Sequence, residues 1–193
     1  MSTPTRQRIV EAGADLLRLK GYSATGVKEI VGAAEAPFGS LYHHFPGGKE
    51  QLGEEVVRWS GREYAKLGPL VFDAAPDVVA GVRMFFAGAA ETLQQSGWVS
   101  GCPIATVALE VANTSEPLRR ATAEVFTGWI DGLAPRFAAA GLDDARAREL
   151  AIAMIAGLEG AFVLAQAWRD VTPLHVAGDV VARALQEALP DAA

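Results

Sequence analysis

An all-α chain of about nine helices is what this sequence predicts, and three observations predict it. Apolar residues recur at three- and four-residue spacing, as in Ile9, Ala12, Leu16 and Leu19, or in Val78, Val82, Phe85, Phe86, Ala89 and Leu93. Of the ten prolines, nine stand where such a stripe starts or stops. No convincing period-two run marks a strand.

Taken in order, the helices are expected at 4–20, 26–34, 37–44, 48–66, 76–96, 103–112, 116–139, 143–169 and 173–188. Pro4, Pro37, Pro76, Pro103, Pro117 and Pro173 open helices, a position where the missing N–H has no intrahelical partner to lose. Pro135 is the single proline inside one and is expected to kink it. The last helix carries Leu174, Ala177, Gly178, Val181, Leu185 and Ala188 on one face.

The 193 residues, 50% hydrophobic and 21% charged with a net charge of −6, describe a globular chain and exclude a disordered or fibrous one. One cysteine excludes a disulfide framework. Arg6, Arg8, Glu11, Asp15, Arg18 and Lys20 interrupt the first twenty residues, so they do not read as a signal peptide, and the expected compartment is the cytoplasm. Leu150 to Trp168 is nearly membrane length, with Glu159 and Gln166 its strongly polar members. A carboxylate at its midpoint would cost about 2.5–3.5 kcal/mol on insertion, so it is read as a fully buried helix, with no membrane partner.

Charge divides the chain unequally: residues 1–49 hold six Lys/Arg and four Asp/Glu, while 50–193 hold eleven and nineteen. The acidity belongs to the larger C-terminal part. Two domains are expected, a small one over 1–48 and a larger one over 49–193.

Within the small domain, Thr25 precedes the stripe Val27, Ile30, Val31, Ala34, and Pro37 opens a new short helix three residues later. Short helices joined so briefly must cross steeply, as in a helix-turn-helix, whose second helix enters the DNA major groove. On that helix Leu41 and Phe45 form an i, i+4 pair that can anchor it to Ile9, Leu16 and Val31. Phe38, Gly39, Ser40, Tyr42, His43 and His44 are then left facing outward or edgewise. Gly47-Gly48-Lys49 opens the fourth helix, bringing amide donors, a positive dipole end and one ammonium to a seat for a DNA phosphate. Thr25 is a similar seat.

Residues 5–52, read as T-R-x-x-I-V-x-A-G-x-x-L-L, G-Y-S-A-T-G-V-x-E-I and A-P-F-G-S-L-Y-H-H-F-P-G-G-K-E-Q-L, closely resemble the DNA-binding domain of the TetR family of bacterial repressors. P-G-G-K-E, Gly101-Cys102-Pro103-Ile104 and Ala108-Leu109-Glu110 resemble its LmrA/YxaF-type branch, which carries the likeness into the larger domain. The resemblance implies DNA contacts from Thr25, Phe38, Gly39, Ser40, Tyr42, His44 and Lys49. Two departures stand out: Glu35 where many members have a turn glycine, and Pro37 where many have a capping serine.

Catalytic patterns are missing: no G-x-S-x-G, G-x-x-x-x-G-K-[ST], C-x-x-C or G-x-G-x-x-G occurs. Adjacent His43 and His44 point about 100° apart on a helix, so neither metal nor cofactor is expected. Cys102 has neither Lys nor His near it in sequence and reads as a small buried hydrophobe, with redox sensing the alternative that its place before Pro103 at a helix start leaves open.

Helix 143–169 is apolar nearly all round, and one domain cannot cover it without a second apolar surface. The resemblance implies that the last two helices pair with their twins in a homodimer, for which Leu150, Ile155, Leu164, Trp168, Val181 and Leu185 are the candidate contacts. Such a dimer would hold two heads one DNA turn apart, about 34–36 Å, over a roughly palindromic operator. Phe86, Trp98, Cys102, Ile104, Phe126, Trp129, Met154, Leu158 and Phe162 are the candidate lining of a pocket for an apolar, planar effector, with Glu110 and Glu159 orienting it. The expectation is a repressor that binds operator DNA and is released when the effector swings the fourth helix. The rivals are a helical carrier whose head has lost DNA binding, and a small enzyme using Glu110 or Glu159 as base.

Overall fold

In the computed structural model, residues 3–99 and 101–190 are described, and among them the fold is all-α. The helices are α1 (Thr5–Lys20), α2 (Val27–Ala33), α3 (Gly39–His44), α4 (Gly48–Ala65), α5 (Leu67–Phe72), α6 (Val78–Gln95), α7 (Pro103–Val111), α8 (Glu116–Ala139), α9 (Asp144–Trp168) and α10 (Thr172–Ala188). The helix beyond the expected nine is α5. Pro69 cannot donate a backbone bond to Ala65, so the expected 48–66 helix stops and a short one follows after Lys66. Pro135, by contrast, sits inside α8, which continues to Ala139 without the ladder bond the proline lacks.

Several ends are written in the side chains. Asp77 caps α6 by accepting from the Ala80 amide at 2.7 Å, and Asp143 caps α9 from Arg146 N–H at 2.9 Å. At the end of α1 the chain reverses through Gly21, whose φ of +76° lies in the left-handed region.

The chain packs as two compact units. The first holds the described residues to Glu63 together with Cys102–Val125. It therefore extends past the expected division at 48/49, taking in most of α4, all of α7 and the start of α8. Its core is Ile9, Val10 and Leu17 of α1, Ile30 and Val31 of α2, Leu41, Phe45, and Leu52, Val56 and Val57 of α4, joined by Ile104, Val107, Val111 and Leu118. Gly61 of α4 lies so close to α8 that a Cβ there would stand 2.5 Å from Val125.

The second unit holds Tyr64–Gly101 and the chain from Phe126 onward. α10 packs against both α6 and α9. Phe86, Leu93, Phe137, Met154, Leu174 and Leu185 are nearly inaccessible at its centre. Each such side chain contributes about 1.5–3 kcal/mol of transfer free energy, which holds three long helices together without a polar core.

The expectation of a fully buried 150–168 helix is corrected. α9 is long and apolar enough to cross a membrane by length and composition, yet only 33% of its most apolar window is buried within the chain. Leu150, Ala151, Met154, Leu158, Ala161 and Ala165 face the core, while Ile152, Val163, Leu164 and Trp168 are exposed. A helix apolar on every face can satisfy only one of them inside one small domain.

Candidate nucleic-acid interface and effector cavity

The α2–α3 turn sets how the reading helix stands. α2 ends at Ala33, Glu35 takes a left-handed φ of +49°, and Pro37 starts the next turn. Arg8 of α1 reaches across and donates from Nε to the Ala34 carbonyl at 3.0 Å and from Nη2 to the Glu35 carbonyl at 3.3 Å. These bonds satisfy carbonyls that the helix end leaves open.

α3 is fastened through Leu41 and Phe45, both 0% exposed, with the Arg6 guanidinium 5.1 Å from the Phe45 ring centroid. Its other side is open. Phe38 and Tyr42, one turn apart, stand about half exposed with their rings edge to face at 6.0 Å. Gly39 and His43 are exposed beside them, and Ser40 and His44 half-buried. Side-chain hydroxyls, imidazoles and flat rings on a short rigid helix are groups that can meet phosphates and base edges.

Two of the proposed phosphate seats are not available in the expected form. Thr25 is fully buried: its hydroxyl donates to the Gly21 carbonyl at 2.7 Å and its N–H to the Tyr22 carbonyl at 3.2 Å. It closes the α1–α2 connection and presents nothing outward. At the start of α4, Gly47 N–H donates to Gln51 Oε1 at 2.8 Å and Gly48 N–H to the Phe45 carbonyl at 2.8 Å, so those amides are not free donors. Lys49 turns toward the same connection as Thr25, with Nζ 4.4 Å from the Tyr22 ring centroid and 3.5 Å from the Ser23 carbonyl. Burial lowers its pKa from the ordinary lysine value, while the Glu110 carboxylate works in the other direction.

Glu110 is also not where the sequence reading put it. On α7, in the first unit, it accepts a hydrogen bond from Ser23 N–H at 2.7 Å, and its carboxylate fills the space beside Gly21. A residue expected to orient an effector thus fastens the α1–α2 connection. Ser115 does the same for α4, its hydroxyl donating to Glu50 Oε1 at 2.6 Å.

In the second unit a cavity of about 180 Å³ is lined by Tyr64 and Ala65, Gly68, Pro69 and Phe72, Phe85, Gly128, Trp129, Gly132, Leu133 and Arg136, and Met154 and Ile155. Of the nine candidates, Trp129 and Met154 line it. Cys102 and Ile104 belong to the first unit, Cys102 as the N-cap of α7 and Ile104 in its core. Phe86 and Leu158 are buried as packing residues, and Trp98 and Phe162 pack partly buried against that core. Phe126 stacks edge to face on Trp129 at 5.6 Å. Glu159, the other proposed orienting carboxylate, has its oxygens shielded from solvent and is not part of this lining. Tyr64, Phe72 and Phe85, none of them among the nine candidates, bring three further rings to it.

The candidate dimer contacts divide as well. Leu150, Val181 and Leu185 are buried in the chain's own core and are not free for a partner, while Ile155 is half-buried and lines the cavity. Leu164 and Trp168 are exposed, and so are Ile152 and Val163 on α9 and Val176 and Val180 on α10, which the sequence reading missed.

Comparison with known proteins divides the chain along its sequence into two matched regions. Residues 9–56 match a model of bacterial regulatory proteins of the tetR family, and residues 78–180 match the C-terminal domain of LmrA/YxaF-like transcriptional regulators. The chain is 34% identical to the HTH-type transcriptional regulator YxaF of Bacillus subtilis, over 88% of its own length and 89% of that protein's. LmrA of the same organism is 33% identical over 88% and 90%. Rv0196 of Mycobacterium tuberculosis, also an HTH-type regulator, is 36% identical over 95% and 93%. Among solved structures, a TetR regulatory protein from Rhodobacter sphaeroides superposes with a TM-score of 0.80 at 30% identity, covering 94% of this chain and 99% of that one.

Proposed function

The chain belongs to the TetR family of bacterial regulatory proteins, in the LmrA/YxaF-like branch, and from that premise we propose that it is a ligand-released repressor that binds a palindromic operator as a homodimer. DNA-binding transcriptional regulation is the work of the family, and its members are not enzymes. The observation that carries the reading is α3: a helix locked from behind by two fully buried anchors, with Phe38 and Tyr42 bare in front. Gly39, Ser40, His43 and His44 complete that face, and Lys49 and Thr25 act through the loop they brace. An operator-reading protein of this kind works in the cytoplasm.

The exposed apolar face of α9 and α10 supports a second copy of the chain as its cover. Ile152, Ala156, Gly160 and Val163 lie in one row on α9, with small residues at its middle where a partner helix can approach. The effector is a small, apolar, aromatic molecule held in the ring-lined cavity. The first compact unit includes α4 to Glu63, α7 and α8 to Val125 besides the reading helix, which supports a release in which these segments shift together and not α4 alone. The effector must prefer the released state; a coupling of about 1–3 kcal/mol gives roughly 5- to 150-fold weaker DNA binding.

The direct experiment is fluorescence anisotropy on a duplex from upstream of the protein's own gene against a scrambled duplex. We expect sequence-specific binding that weakens by about tenfold or more in Tyr42→Ala, a loss of about 1–3 kcal/mol. The inward placement of Thr25 and Lys49 favours one rival, the carrier with an inactive head. Equal affinity of wild type and Tyr42→Ala for both duplexes would favour it over the regulator.

A further inference from the structure

The cavity in the second unit carries more information than its rings, because one cation stands in its wall. Arg136 of α8 lines the cavity while its guanidinium carbon lies 5.8 Å from the Phe72 ring centroid. Its Nη1 donates to Asp73 Oδ1 at 2.6 Å. The two partners of this pair are unequally held. The Arg136 side chain is 28% exposed and rests on an aromatic face, whereas Asp73, just past the end of α5, is 66% exposed.

That inequality decides which partner can leave. Removing Asp73 returns a carboxylate to water at little cost, but removing Arg136 would take a guanidinium off its ring and out of its packing. A carboxylate arriving through the cavity can therefore take the place of Asp73 on a guanidinium that is already positioned. The remaining wall selects what the carboxylate is attached to. Gly128 and Gly132 lie one turn apart on α8, and a Cβ at either would meet nothing within 4 Å. They leave a bare strip of helix between Trp129 and Arg136, against which a flat ring can lie. An apolar cavity of about 150 Å³ admits benzene, so about 180 Å³ accommodates one ring with a small substituent.

The geometry points to Arg136 as a specificity-determining residue, and to an aromatic acid, a flat one-ring molecule bearing a carboxylate, as the ligand class of this cavity. The inference rests on the effector-site reading given above and narrows it from apolar to anionic and aromatic. The acid displaces Asp73 from Arg136, with no covalent change.

The test is calorimetric titration of the DNA-free full chain with benzoate and with its neutral isostere benzamide. The acid should bind about tenfold or more tightly than the amide, the size expected of one charge-assisted hydrogen-bonded pair in a partly buried site. Arg136→Gln should abolish that preference while leaving amide binding in place. Asp73→Asn, which removes the competing carboxylate at a residue that is not itself part of the cavity lining, should tighten acid binding and leave amide binding unchanged. Equal affinity for acid and amide overturns the inference, as does an acid preference that survives Arg136→Gln or failure of both probes to bind at millimolar concentration. If Arg136→Gln does not fold, the Asp73→Asn comparison decides alone. Operator binding is measured separately, so its absence would sink the regulator reading while leaving this result standing.

Discussion

Glu35 occupies a backbone position that favours glycine, and the structure shows how the chain tolerates it. A left-handed φ costs an ordinary residue roughly 1–2 kcal/mol, and Arg8 offsets part of this by holding the carbonyls on both sides of the bend. Glu35→Gly should therefore raise unfolding stability by about 0.5 kcal/mol, since relief of strain exceeds the extra chain entropy of glycine. Arg8→Ala should lower it by about 1 kcal/mol through its lost hydrogen bonds. Urea unfolding followed by tryptophan fluorescence and far-UV circular dichroism reads both. A second residue-scale expectation concerns acid. Glu116, at the first turn of α8, accepts from Arg119 Nε at 2.6 Å and Arg120 Nε at 2.7 Å, and these guanidinia lower its pKa from 4.5 to about 2. A carboxyl depressed in the folded state contributes stability above its unfolded pKa, and that contribution is lost as pH falls toward 2. Glu116→Gln should melt slightly below wild type at pH 7, with the gap closing by pH 2 and shrinking in molar salt, because the pair is fully open to screening.

Between elements, the most consequential tie is the one from α7 to the α1–α2 connection. Gly21 has a positive φ, and a Cβ there would stand 1.9 Å from Glu110 Oε1. Gly21→Ala must strain the backbone and also push the carboxylate off Ser23 N–H, so we expect a loss of about 1–3 kcal/mol. In a Glu110→Ala background only the backbone part should remain, near 1 kcal/mol, and a double-mutant cycle in urea measures the difference. This tie was not legible in the sequence. The helix-turn-helix was, because its signals are local: a stripe, a three-residue gap, an i, i+4 anchor pair. Glu110 and Ser23 are 87 residues apart, and nothing in the composition around Glu110 distinguishes a carboxylate that fastens a loop from one that meets a ligand. The same limit explains Thr25 and Lys49, whose residue types suit a phosphate but whose directions depend on the bonds closing residues 21–25. On α8, Gly132 shows the opposite case, an apparent local fault with a spatial reason. Glycine inside a helix costs about 1 kcal/mol against alanine, and here it leaves room in a cavity wall. Gly132→Ala should accordingly raise the melting temperature, while Gly132→Leu should fill the space and abolish ligand-induced thermal shifts.

For the whole molecule, the question is what covers α9 and α10. Periodicity could not choose among the faces of α9, since leucine, isoleucine, valine and alanine occur on all of them. It selected Leu150, Val181 and Leu185, which the chain's own packing consumes, and missed Ile152, Val163, Val176 and Val180, which it leaves open. Isolated apolar residues on a surface are ordinary, but Ile152 and Val163 on one side of α9, with Val176 and Val180 one turn apart on α10, form exposed rows of the kind that marks an interface. Ile152 and Val163 lie eleven residues apart, three turns along one face, so charges at both positions would meet the same covering helix. Ile152→Glu/Val163→Glu should leave the fold intact, as both side chains are already in water in the single chain. It should nevertheless convert a dimer into a monomer in sedimentation velocity at micromolar concentration. Operator affinity should fall with it, by on the order of 10²–10⁴, because the second head would lose the high effective concentration that the first head gives it. The salt dependence offers an independent check. Affinity falls with salt in proportion to the phosphates neutralised, so one head engaged in place of two should give about half the logarithmic slope. A double variant that remains dimeric and keeps the full slope would place the covering partner on some other face. Monomer formation with the slope unchanged would mean that a single head already makes every contact with the operator.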